Sequence, residues 1–108
     1  MPRRFLSLSV ALVLPIAAGA ETLTLYTSQP YEDAQSTVDA FMAANPDVDV
    51  EWVRDGTTTL MARLQTEIAA GDPQPHVLLI ADTVTLEGLA QDGQLAAYNS
   101  PEAEAFDP

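Results

Sequence analysis

The chain has 108 residues, four of them basic and sixteen acidic, with one histidine and no cysteine, for a formal net charge of −12. An excess of acid on this scale repels phosphate backbones and anionic lipid, which argues against nucleic-acid and membrane-surface roles. Without cysteine, neither disulfides nor thiolate metal sites are available.

Residues 1–20 carry Arg3 and Arg4, an apolar run from Phe5 to Ala18, and small residues at Ala18 and Ala20 before Glu21. A positive start, a short apolar stretch and small residues at the end describe a secretory signal peptide cleaved after Ala20. The run falls short of the roughly 20 apolar residues that a membrane span needs. No cysteine follows it, so lipid attachment by that route is excluded. Export implies a periplasmic location. Cleavage leaves sixteen acids against Arg54 and Arg63 alone, a net charge of −14, and lysine is absent throughout.

After the leader the apolar pattern changes period repeatedly. Leu23 to Thr27 alternates as a strand and opens into Ser28-Gln29-Pro30. Tyr31, Ala34, Val38, Phe41 and Met42 recur at spacings of three and four, the apolar stripe of a helix. Glu32 and Asp33 suit the positive end of its dipole, and Asn45-Pro46 stops it. Val48 to Val53 alternates strictly, as a strand with one buried face does.

Asp55-Gly56 turns the chain into a second helix, capped by Thr57 or Thr58, with Leu60, Met61, Leu64 and Ile68 on its apolar face. Gly71-Asp72-Pro73 ends it. His76 to Ala81 is continuously apolar at strand length, which predicts a third strand covered on both faces. Asp82 caps a third helix bearing Leu86 and Leu89, closed by Asp92-Gly93. Leu95 to Tyr98 reads as a short extended piece, and Ser100-Pro101 as a helical start. The fold class is therefore α/β, an open parallel β-α-β-α-β-α unit with helices on both sides of the sheet.

In such a sheet ligands bind beyond the carboxyl ends of the strands, where strand order reverses. That rule selects three loops, each opening a helix whose free N–H groups favour anions. They supply the candidate ligand-binding residues Ser28, Gly56, Thr57, Thr58, Asp82 and Thr83. Capping alone is an equally good account of Ser28, Thr58 and Asp82, and a turn needing positive φ of Gly56. His76 lacks partners at metal-ligand spacing and reads as structural, so neither metal nor cofactor is expected. Tyr26 and Trp52 read as packing residues, with Tyr26 and Tyr31 close enough to the loops to border a cleft. Arg54, directly after the second strand, either reaches a negative ligand or pairs with a nearby carboxylate. Nucleophile-elbow, Walker and dinucleotide patterns are missing, which argues against an enzyme.

Several passages resemble one family when taken in order. Leu25-Tyr26-Thr27-Ser28 is similar to the opening strand of the binding proteins of ABC transporters, particularly those for iron(III), phosphonates and phosphorylated sugars. Ala40-Phe41, Asn45 to Val50, Asp55-Gly56-Thr57, Leu60 to Leu64, Pro75 to Asp82 and Leu89 to Tyr98 follow in the expected order. The resemblance covers residues 22–101. It implies two α/β lobes joined by a hinge, with residues 21–108 forming the N-terminal part of the first. It also implies a monomer that captures a small solute and delivers it to an ABC permease in the inner membrane. Ser28, Gly56, Thr57 and Asp82 would then lie on the cleft side. Iron-binding members carry a histidine in the first loop and an acid after the third strand. Here Pro30 stands near the histidine position and Ala81 in place of the acid. The implied solute is a small anion, such as a phosphonate, a sugar phosphate or an iron(III) complex. Two readings stay open beside it, a non-binding fragment and a small secreted interaction module of the same fold.

Overall fold

A computed structural model describes residues 21–106. The signal-peptide reading of residues 1–20 lies outside the described residues. Three strands and three α-helices alternate: β1 (Glu21–Thr27), α1 (Tyr31–Ala44), β2 (Val48–Arg54), α2 (Thr57–Ala69), β3 (Val77–Leu79) and α3 (Thr83–Gln91), followed by a 3₁₀ turn over Pro101–Ala105. The strands form one parallel sheet in the order β2-β1-β3. The expected α/β architecture is the observed one.

Register fixes which side chains share a face. Tyr26 aligns with Val53 and Leu78, while Leu25 aligns with Trp52 and Val77. Parallel partners point the same way, so the two sets look toward opposite sides of the sheet. α1 covers the Trp52 side, where the Tyr31 and Trp52 rings lie 5.2 Å apart. The Tyr26 side belongs to α2 and α3, whose Met61, Leu64 and Leu89 are buried against Leu78, Ile80 and Ile68.

The second helix is tied to the sheet by a polar brace. Tyr26 is fully buried, and its hydroxyl donates to Glu67 Oε1 at 2.6 Å. Arg63 Nε donates to the same oxygen at 3.0 Å, with its guanidinium 5.1 Å from the Tyr26 ring centroid. The Gln74 N–H takes Glu67 Oε2 at 3.1 Å. Burial alone pushes the Glu67 carboxyl up, but the bonds from Tyr26, Gln74 and Arg63 outweigh it and hold the pKa below its ordinary value. Burial, and then the bond to Glu67, push the Tyr26 hydroxyl up.

Sequence signals for helix ends hold closely. Gly71 and Gly93 adopt φ of +71° and +73°, as left-handed stops after α2 and α3 require. The Asn45 amide groups both return to the Phe41 carbonyl at 2.9 Å. Ser100 caps the 3₁₀ turn through Glu102 N.

Three expectations need correction. The N-cap of α2 is Gly56, with no side-chain cap bond, so Thr57 and Thr58 lie within the first turn instead of capping it. Gly56 has φ −62°, so no left-handed turn requires a glycine there. β3 is only three residues long, and Val77 and Leu79 remain 43% and 40% exposed. α1 lies over β2 and leaves that side of β3 bare, so coverage on both faces does not occur among the described residues. The stripe of α1 is also narrower than its periodicity suggests, since Ala34 and Val38 are buried but Tyr31 and Phe41 are not.

The brace gives a stability profile with two limbs. The folded chain holds Glu67 ionised more readily than the unfolded chain does. Its contribution is therefore full above the ordinary glutamate pKa and is lost as pH falls through the lower native one. The folded chain also holds Tyr26 neutral, so that contribution is full below the ordinary tyrosine pKa and is lost as pH rises through the raised one. Urea melts of the chain from Glu21 onward should show Glu67→Gln flattening the acid limb and costing about 2 kcal/mol at neutral pH. In the same melts Leu64→Ala should cost about 3 kcal/mol by opening the α2–α3 core.

Candidate functional site

Three parallel strands necessarily deliver their carboxyl ends to one edge of the sheet. Ser28-Gln29-Pro30 follows β1, Asp55-Gly56 follows β2, and Ile80-Ala81-Asp82 follows β3. With β1 in the middle, the chain passes from it through α1 to β2, and then from β2 through α2 across the sheet to β3. The order reverses between β1 and β3, and a crevice of about 290 Å³ opens there, lined by Ser28, Gln29, Pro30, Leu79, Ile80 and Ala81. A smaller cavity of about 150 Å³ lies where the chain enters β3, lined by Leu64, Ile68, Leu78, Leu89 and neighbours. It receives none of the helix-opening loops.

The wall formed by the β1 loop is held from several directions. Ser28 N donates to the Leu79 carbonyl at 3.1 Å, joining the two sides of the crevice at its base. Thr27, fully buried, accepts from Gln29 N at 3.2 Å and donates to Gln29 Oε1 at 3.3 Å. The Gln29 side-chain amide reaches Thr37 Oγ1 in α1 at 3.3 Å. Arg54 Nε, from the end of β2, donates to the Gln29 carbonyl at 2.8 Å. Pro30 serves as N-cap of α1 without a side-chain bond, so Ser28 caps no helix.

The other wall ends in Asp82, the N-cap of α3. Its carboxylate accepts from Thr85 N at 3.2 Å and from the Thr85 hydroxyl. The hydroxyl bond, then the backbone one, hold its pKa below the ordinary aspartate value. Asp82 is half-buried, and Thr83 is exposed beside it. Beyond β2, Asp55 Oδ1 accepts from Gly56 N at 2.7 Å. Thr57 is half-buried and Thr58 exposed.

All six candidate residues thus stand at the carboxyl edge, but not in one place. Ser28 lines the crevice, and Asp82 with Thr83 continues the segment that lines its far side. Gly56, Thr57 and Thr58 open α2 beyond β2, across the β1 loop. Gln29 is the residue missed: it lines the crevice and carries most of the loop's bonds. Its position in the first loop after a strand at the switch point was the available signal. Arg54 pairs with no carboxylate among the described residues, its Nε taking the Gln29 backbone carbonyl instead. His76 ties β3 to β1, since its Nδ1 accepts from Thr24 N at 2.9 Å and its backbone N–H donates to the Thr24 carbonyl at 2.8 Å. Among the described residues no group of three His, Asp or Glu side chains is placed to hold a metal ion, and no helix is long and apolar enough to cross a membrane.

The sequence profile described as bacterial extracellular solute-binding protein matches residues 26–107, which takes in the last two residues of β1 and every element after it. The chain belongs to this family. No curated protein matched it in a search. Membership carries a substrate-binding role in transport and an extracytoplasmic location. Ligands of open parallel sheets bind beyond the carboxyl ends of the strands where the order reverses, and the crevice lies there.

The Asp82 cap gives a local test. Asp82→Ala should release the first turn of α3, with the Thr85 amide exchanging its proton several-fold faster by hydrogen-exchange NMR. In the parent chain the same amide should lose protection as pH falls through the lowered Asp82 pKa.

Proposed function

We propose that the chain is the ligand-capturing part of a periplasmic receptor for an ABC importer, taking a small anionic solute and handing it to an inner-membrane permease. The observation that carries this reading is the crevice between β1 and β3 at the reversal of strand order, bounded by a loop already fixed by hydrogen bonds. A wall set in place before ligand arrives spends little binding energy on ordering itself. Family membership supports the transport role. The narrower class of solute, a phosphonate, a sugar phosphate or an iron(III) complex, rests on the sequence resemblance.

In this proposal residues 1–20 are removed after Ala20, and residues 21–108 form the N-terminal part of a first lobe that works as a monomer. A second lobe closes over the solute, and closure is favoured only as far as the solute binds the closed form more tightly. Ser28 and Gln29 would contribute polar contacts at one wall, and the Ala81 backbone and the Thr83 hydroxyl at the other, with the Asp82 carboxylate kept on its own helix. Gly56, Thr57 and Thr58 would meet only a solute that extends across the β1 loop.

One wall gives half an enclosure. Calorimetric titration of the chain from Glu21 onward with methylphosphonate and glycerol phosphate should therefore give dissociation constants of about a millimolar. Amide shifts in a parallel NMR titration should concentrate at residues 28–30 and 80–83. Micromolar binding, or shifts confined to the cavity beside Leu64 and Leu89, would reject this division of labour.

A further inference from the structure

Granted the receptor reading, we infer that Arg54, and not the helix N-termini, is the group that selects an anionic solute at this rim. The three N-termini are the obvious alternative, and the chain has already furnished each with its own acid. Asp82 holds the Thr85 amide at the start of α3. Asp55 holds the Gly56 amide ahead of α2. Glu32 and Asp33 occupy the first turn of α1, which Pro30 precedes without an N–H. A second anion brought to any of these positions meets a carboxylate already there.

Positive charge is scarce. The described residues contain two arginines and no lysine, and Arg63 is spent on Glu67 in the brace. Arg54 is exposed and has no carboxylate within ion-pair distance among the described residues. Its one hydrogen bond there runs from Nε to the Gln29 carbonyl, which orients the planar group and leaves the terminal N–H groups without a protein partner. A guanidinium fixed through Nε presents the rest of its fork as a unit, the geometry that suits two oxygens of a phosphonate or carboxylate. Gln29 lines the crevice, so the same bond sets the charge on one flank of the loop whose other flank forms the wall.

The test is an NMR titration with methylphosphonate, and with glycerol as the uncharged control, on the parent chain, Arg54→Gln and Arg54→Lys. Arg54→Gln should weaken methylphosphonate binding roughly ten- to hundredfold, and Arg54→Lys should restore part of it, with glycerol unaffected by either. Equal methylphosphonate binding by the parent chain and a folded Arg54→Gln would overturn the inference and leave the receptor reading intact. Absence of any rim shift with every solute tried would remove both. Should Arg54→Gln fail to fold, the Arg54 side-chain Nε–H resonance of the parent chain decides. Movement of that signal with added methylphosphonate supports the inference. A stationary signal, with shifts at Thr58 and Val84 instead, rejects it.

Discussion

The central position of β1 governs this structure. Both neighbours pair with it in parallel, so its carboxyl end is flanked by two further carboxyl ends, and the loops that follow have no choice of edge. The same position makes the sequence order reverse across β1, and helices departing to opposite faces leave a gap at that reversal. Burial follows the same logic. Leu25, Tyr26 and Thr27, at the end of β1, are the most enclosed stretch of the sheet, whereas the flanking strands keep exposed positions. A well-packed strand end is what permits the loop after it to be rigid.

Rigidity there comes from polar groups with named partners. Thr27 lies buried and spends its hydroxyl on Gln29; Gln29 in turn connects to α1 through Thr37 and to β2 through Arg54. On the other face, Tyr26 connects the same strand to α2 through Glu67. Successive residues of β1 therefore anchor different helices, and their bonds differ in kind. The Tyr26–Glu67 contact involves an ionised acceptor in a largely buried setting, where such bonds are strong and costly to leave unmade. The bonds around Gln29 lie nearer solvent and contribute more to shape than to stability.

Local chemistry was legible in the sequence and long-range pairing was not. Spacing located all three helices, and Gly71, Gly93 and Asn45 marked ends that the backbone uses. Asp82 could be read as a cap because the motif is complete within four residues. The α2 cap was misassigned because Gly56, Thr57 and Thr58 are all acceptable there, and only the backbone angles choose among them. The bare side of β3 was invisible for another reason: an apolar run signals that burial is favourable, and says nothing about which element provides it. His76 with Thr24, Arg54 with Gln29, and Tyr26 with Glu67 join residues 52, 25 and 41 positions apart. No periodicity encodes those distances. For the candidate site, the edge followed from topology, while its division into a crevice and a separate α2 corner depended on the strand order.

The exposed flank of β3 has a further consequence for handling this chain. Val77 and Leu79 present apolar surface beside a strand edge with no partner among the described residues, and such edges recruit other strands. Opposing this is the long-range repulsion of a strongly negative molecule, which mobile ions attenuate over about 10 Å at 0.1 M ionic strength. Colloidal behaviour should therefore turn on electrolyte: dilute buffer keeps copies apart, and concentrated salt lets the uncovered strand find company.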